Sequence, residues 1–449
     1  MNAIVLVVDG LHVAYSGAYG NTWVDTPRLD HLASQSLVFD QALVDSPQLA
    51  VLCRGWWQAL GAIVPPQVVP VEQATLMRRL HQADVATCLI SDEPAVHGHP
   101  LAADFAERRR LALGDPLELA TSIHETRLAA ALAEVALWLE SVGEPFLLWV
   151  HLTGLRAAWD APYALRQQFV EEDDELPPPR DVGVPCGRLH ADHDPDELLA
   201  IRRAYAGQVA VLDACIGGLL EFVDQQPWAA QTLFSLLGAR GFALGEHGRV
   251  GDADLALYDE LVHVPWWLRL PRADRESIRT QALVEPADLA ATLLDWWQLP
   301  APAPPSQGRS LLPLIDGDRD DWRDRLLLSG EDDQAIRTAA WYLRRPSSDR
   351  PLGTDGVAGP DASPAARTAG AVSAPPEDAP AAREPHIPDA LPELYVKPDD
   401  RWEQNDVASR CSDVVEQLIA VDDQCRQAAA AGRPQPGEPL SEVLRTGWA

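Results

Sequence analysis

The sequence predicts an α/β fold: a large, mostly parallel sheet covered by helices, with a smaller carboxy-terminal α+β subdomain. Three observations predict it. Short β-branched or aromatic runs alternate with longer amphipathic ones, the alternation that builds a helix-covered parallel sheet. The 449 residues, 47% of them hydrophobic, suffice for one large core or for one large and one small. Order also resumes beyond a long Ala/Pro-rich stretch, so the tail needs a body to pack against.

The clearest strands are residues 3–8, Phe146 to Leu152, Thr232 to Leu237 and Trp266 to Leu270. Helical spacing is clearest over 26–36, where Pro27 sits near the start, and over 116–141 and 197–225. The acidic, proline-rich run over 171–196 reads as a surface loop. From about Ser347 to Asp389 the composition collapses to Ala, Pro, Gly, Ser and Asp, too few large apolar residues to offset the entropy of ordering. The predicted organisation is a first domain over 1–330, a subdomain over 331–346 and 390–449, and a disordered insertion over 347–389. The segment after the insertion reads as a strand, a turn and a closing helix.

Charge narrows the partners. With 36 basic and 67 acidic side chains the net charge is −31, a field that repels nucleic acid and anionic lipid, so neither is an expected partner. The chain opens on a strand with no basic region, apolar core and cleavage site before it, and no apolar run approaches bilayer length; a cytoplasmic location is the expectation. Cys53, Cys88, Cys186, Cys215, Cys411 and Cys425 lie far apart with no CxxC pair, which predicts neither a disulfide framework nor a zinc site. Lys397 is the single lysine, so nearly all positive charge is arginine.

Several segments follow one another in a telling order. IVLVVDGLHVAYSGAYGNTWVDTPRLDHLASQSLVFDQALVDSP (4–47) has a strand ending on Asp9, a Tyr19-Gly20-Asn21 turn, Thr26-Pro27-x-Leu29-Asp30-x-Leu32-Ala33, and Ser46-Pro47. HLTGLRAAWDAPYALRQQF (151–169), Tyr205 through Asp213 to Gly217, TLFSLLGARGFALGEHG (232–248), YDELVHVPWWLRLP (258–271), DLAATLLDWW with GRSLLPLIDG (288–317), and ELY with Glu403-Gln404-Asn405 come after it. Each is weak alone; together, across nearly the whole chain, they resemble the sulfatase family within the alkaline phosphatase superfamily.

That resemblance implies a chemistry whose parts can be checked one by one, because a fold alone does not carry a function. Sulfate ester hydrolysis needs a nucleophile at sulfur, a cation for the sulfate oxygens and a donor for the leaving alkoxide. The resemblance implies a formylglycine made from Cys or Ser in a Cys/Ser-x-Pro-x-Arg motif, but the matching stretch is Ala50-Val51-Leu52-Cys53-Arg54. Alanine cannot be oxidised to an aldehyde. A shifted register would place Cys53 at the nucleophile, with Gly55 where proline belongs and Trp57 where arginine belongs; otherwise Cys53 is a buried small hydrophobe. The family cation, usually calcium, takes carboxylates from the first strand and an Asp followed by His or Asn after a later one. Asp9 is the only remnant. Gly10 adds no ligand, and Ala239 and Arg240 stand where the later pair belongs, so no cofactor is expected. The substrate-facing histidine falls on Arg156, and the two active-site lysines fall near Asp92 and Asp252.

Other candidates are weaker. His190, Asp192, His193 and Asp194 have metal-ligand types but lie in the acidic loop, and His97-Gly98-His99 is similar. His247 and His263 read as hydrogen-bonded structural histidines. The pairs Trp56-Trp57, Trp266-Trp267 and Trp296-Trp297 read as core. The expectation is a degenerate sulfatase-like protein with a binding, regulatory or scaffold role, competing with an active sulfuric or phosphoric ester hydrolase that uses a non-standard nucleophile and metal site. Arg240 is expected to pair with Asp9 in the cation's place, while Arg54, Arg156 and Arg240 line a pocket for a small anion or a sulfated or phosphorylated ligand; the competing expectation is that these arginines point to solvent and side chains fill the pocket.

Overall fold

The computed structural model describes residues 1–69, 75–171, 174, 176–271, 278–317, 322–347, 391–433 and 438–447. The predicted disordered insertion, apart from Ser347, lies outside the described residues. In chain order the strands are β1 (Asn2–Val8), β2 (Leu37–Ala42), β3 (Ala86–Ser91), β4 (Glu107–Arg110), β5 (Phe146–Leu152), β6 (Gly187–Arg188), β7 (Thr232–Gly238), β8 (Ala243–Leu244), β9 (Arg249–Gly251), β10 (Trp266–Arg269), β11 (Ile278–Val284), β12 (Arg325–Ser329), β13 (Asp333–Thr338), β14 (Trp341–Pro346) and β15 (Glu393–Val396).

The predicted α/β class is what the structure has. The large sheet runs β11-β2-β10-β7-β1-β5-β3-β4. β1 lies between β5 and β7, parallel to both, with Ile4 opposite Leu148 and Phe234. Every residue of β1, β5 and β7 is buried, which is why these runs are continuously apolar rather than alternating. Only β10 runs against its neighbours, antiparallel to β7 and β2. One face packs on Trp56, Trp57 and Leu289, the other on Tyr205, Leu212 and Trp138. The smaller sheet is antiparallel, β12-β13-β14-β15, and packs on the helix Ser412–Ala430 through residues such as Ile336, Leu394 and Leu418.

Three boundaries differ from the sequence reading. The helix assigned to 116–141 begins at Arg127, because Thr126 caps it, its side chain accepting from the Ala129 amide, and Asp160 accepts from the Arg127 amide at 2.6 Å. The helix assigned to 197–225 begins at Pro195 under an Asp194 cap. The smaller sheet starts at Arg325, inside the expected first domain, since β12 and β13 form one hairpin closed by Gly330 N–H on Asp333 O. The helix Pro195–Asp224 is also long and apolar enough to cross a membrane by length and composition, contrary to the expected lack of such a run; two-thirds of its most apolar window is buried inside the protein.

Many of the residues that carry the family resemblance hold this architecture together. Asp213, on the long helix, accepts from the amides of Arg28 (3.0 Å) and Leu29 (2.8 Å) and so caps the helix Pro27–Ser34 from outside. A Cβ at Gly217 would lie 2.6 Å from the Arg28 side chain. Tyr19 Oη donates to Phe39 O and accepts from the Trp266 amide. Glu403 accepts from the Asp259 amide at 3.0 Å and, with Asp259, holds the buried Lys397 ammonium at 3.0 and 2.7 Å.

Candidate functional site

Three strand ends define the site. Past its last β1 partner, Asp9 N–H donates to Leu152 O at the end of β5, and Ala239 N–H donates to Val8 O just past β7. Gly10 N–H reaches Arg240 O, and Leu155 N–H reaches Asp9 O. Asp9, Arg156, Ala239 and Arg240 therefore converge at the carboxyl ends of adjacent parallel strands, where an open α/β sheet places its crevice. Gly10 has a space reason as well as a conformational one: at φ +76° a Cβ there would sit 2.9 Å from Arg156 Cγ.

The charges interlock. Asp9 is fully buried. Arg240 grips it in bidentate fashion, Nε at 3.1 Å from Oδ1 and Nη2 at 2.5 Å from Oδ2, while its Nη1 donates to Pro47 O at 3.1 Å. Arg156 approaches from the other side, Nε 3.1 Å from Asp9 Oδ1 but off the hydrogen-bonding line. Its Nη1 meets Asp252 and its Nη2 donates to Gly241 O at 2.8 Å. Burial pushes the Asp9 carboxyl up, yet the two guanidinium charges outweigh it and hold the group below its ordinary value. Burial, with Arg240 beside it, brings Arg156 down to about 10, still protonated at neutral pH.

These residues do not fit calcium. Such an ion takes about six to eight oxygen ligands; here a single carboxylate is already spanned by two guanidinium groups, with the methyl of Ala239 beside Arg240. Positive charge at ligand positions repels a cation rather than holding it.

The expected anion pocket is not assembled. Arg54 turns away, its Nη2 donating to Val64 O at 2.6 Å, and its electrostatic partner is Asp45. Arg156 and Arg240 are spent on Asp9, Asp252 and carbonyls, and Glu93 also acts on Arg240. The physical reason lies at positions 92 and 252, where acids replace the expected lysines: Asp252 meets Arg156, and Asp92 accepts from the Thr153 amide (2.7 Å) and Arg127 (3.1 Å). Ala50 lies exposed in the first turn of the helix Leu49–Gln58. Cys53, one turn on, is fully buried, and burial pushes its thiol well above the ordinary range, the reverse of what activates a thiolate.

Two residues, His151 and His12, escape the sequence motifs, and a third, Tyr205, stands in a recognised segment whose spacing does not reveal its contact. His151, the penultimate residue of β5, is fully buried with both ring nitrogens unpartnered, feels the charge of Asp9, and is held neutral by burial with its pKa lowered to about 4. Tyr205 Oη donates to Gly10 O at 2.6 Å and accepts from the His12 amide at 2.9 Å, fixing the turn after Asp9. The His12 ring is buried, with Nε2 4.0 Å from Glu246. His151 and His12 lie inside segments that fit the fold pattern, so no local motif marks them. A water-sized void lined by Asp92, Arg127, Gly154 and Gln208 lies close by.

The remaining candidates are structural. His193 N–H bonds to His190 O, and Asp194 caps the long helix. Among the described residues no group of three or more His, Cys, Asp or Glu side chains is placed to hold a metal. His99 accepts from the Leu101 amide. His247 bonds to Glu260 and Glu403 O, and His263 to Asp40 O. The first two tryptophan pairs are buried; Trp296 and Trp297 are half-buried and donate to Asn2 O and Met1 O.

Over 124 residues the chain is 30% identical to an N-acetylglucosamine-6-O-sulfatase of Bacteroides thetaiotaomicron, covering 27% of this chain and 22% of that protein. It is 27% identical over 135 residues to the multifunctional alkaline phosphatase superfamily protein PehA of Trinickia caryophylli, 30% of this chain and 26% of that one. The matched stretches thus span about a quarter of these curated relatives. A structure solved in complex with D-glucosamine-2-N,6-O-disulfate superposes with a TM-score of 0.70 at 15% identity, covering 96% of this chain and 99% of that one. The phosphonate monoester hydrolase of Agrobacterium radiobacter gives 0.67 at 15%, covering 94% of each. The sulfatase family profile matches residues 1–299, well over half of the sequence, and the chain therefore belongs to the sulfatase family.

Proposed function

We propose that this sulfatase-family chain is catalytically degenerate and acts by binding, in a regulatory or scaffold role. The observation that carries the proposal is Asp9 spanned by Arg240 and Arg156: the surviving carboxylate of the family's cation site has covalently attached cations for partners. The methyl of Ala50 supports it, having no lone pair to attack sulfur or phosphorus. Small-anion binding at this site would require an anion to displace Asp252 from Arg156, whose side chain is only 5% exposed. The experiment is turnover of aryl sulfate, phosphate and phosphonate esters and of a 6-O-sulfated glucosamine by the purified chain, with and without calcium or chelator. The expected result is no turnover above that of Asp9→Asn. Turnover that Asp9→Asn or chelation abolishes refutes the reading.

A further inference from the structure

We propose that the free edge of the large sheet, β4, is a docking strand for an extended acidic segment of a partner protein. β4 is Glu-Arg-Arg-Arg, all four residues are exposed, and it closes the sheet, bonded to β3 alone among the described strands. Its register sets Ser91 opposite Arg110, and Leu111 N–H donates to Ser91 O. In a parallel pair, residues alternate between turning both backbone groups toward the neighbour and turning both away. With Leu111 turned inward, Arg109 is inward too, and the amides and carbonyls of Arg108 and Arg110 point outward, an unused hydrogen-bonding edge.

The side chains sort the same way. On one face Glu107 accepts from Trp138 Nε1 at 2.9 Å and neutralises Arg109 at 2.6 Å. On the other face stand Arg108 and Arg110, with no carboxylate partner among the described residues, and their charge depresses the His97 ring, after the effect of burial. In a chain of net charge −31, where arginine after arginine is paired with an acid, this is a local reversal of sign. Charged side chains on an edge also deter accidental pairing between copies. An acidic strand reverses that effect: its backbone completes the ladder, and alternate carboxylates meet Arg108 and Arg110 at the strand's two-residue repeat. Nucleic acid offers no backbone amides to complete the ladder, so the edge selects an extended polypeptide.

The test uses the full chain and a fluorescent eight-residue peptide of alternating Glu and Val, with three comparators: the same peptide N-methylated at alternate amides, its Lys/Val counterpart, and a single-stranded oligonucleotide. Fluorescence anisotropy is expected to show saturable binding of the Glu/Val peptide only. Arg108→Ala with Arg110→Ala should weaken it about fivefold to thirtyfold, from two exposed ion pairs. Arg109→Ala, on the opposite face, should change it by less than about twofold. All three positions are exposed, so the variants fold. No saturable binding, equal binding of the N-methylated peptide or the oligonucleotide, or indifference to the double substitution overturns the proposal.

Discussion

Replacing Arg240 by methionine tests the centre of the site. The change keeps most of the apolar stem and removes the guanidinium, leaving the fully buried Asp9 without both of its bidentate contacts. Removing one partner of a buried pair costs about 3–5 kcal/mol, and the lost bond to Pro47 O adds about 1. Arg156 stays 3.1 Å away and recovers part of the loss, which places the expected cost at about 3 kcal/mol. Urea unfolding followed by the fluorescence of the 15 tryptophans reads it as a lowered midpoint at unchanged slope. The double variant Asp9→Ala/Arg240→Met should cost less than the sum of the single variants by about 1–3 kcal/mol. The pH dependence has a definite sign. Because the folded Asp9 carboxyl is held below its ordinary value, its contribution is present above the unfolded value and is lost as pH falls through the folded one. The cost of Arg240→Met should therefore be full at pH 7 and shrink as pH falls through the folded value of Asp9, read by urea melts at both pH values. A cost under about 1 kcal/mol, or an additive double variant, refutes the idea that this ion pair anchors the site.

Thiol titration of the native chain should show fast reaction at the exposed Cys186, with Cys53, Cys88 and Cys411 silent until denaturant is added; a fast Cys53 would restore it as a nucleophile candidate. Native labelling with an amine-reactive ester, read by peptide mass spectrometry, should leave Lys397 unmodified, because its side chain is 1% exposed and its ammonium sits between Asp259 and Glu403. His247 has burial against its charge, but Glu260 at 2.9 Å outweighs it and raises the ring's pKa. That stabilisation is complete below the unfolded value and fades as pH rises through the folded one, so His247→Gln should cost more at pH 5.5 than at pH 9 in urea melts, and an equal cost at both would remove the charge from the account.

The fold was legible because its signals are local and redundant. β1, β5 and β7 are runs of apolar residues whose burial on both faces is the reason for their composition, and Asp213, Gly217, Tyr19 and Glu403 sit in recognisable segments because caps and close approaches need those residue types. The Asp9–Arg240 contact was also legible, since a buried carboxylate needs a positive neighbour and Arg240 adjoins the strand next to β1. The direction of Arg54 was not. One helical turn separates Ala50 from Arg54, and whether such a side chain faces the crevice or Val64 depends on how the helix Leu49–Gln58 is rotated on the sheet, which spacing does not encode. The part played by Asp252 was hidden for a related reason: its exchange with Arg156 is a pairing across about a hundred residues, visible only once both lie at the same strand ends.

A bound ion has a dissociation constant, and a protein that depends on one shares its stability with the concentration of that ion outside. Arg240 and Arg156 are attached to the chain, so the positive charge beside Asp9 can be neither titrated by supply nor stripped by a competitor. Tethering gives permanence and removes exchange: the strand ends are fixed under any ionic condition that leaves the guanidiniums charged.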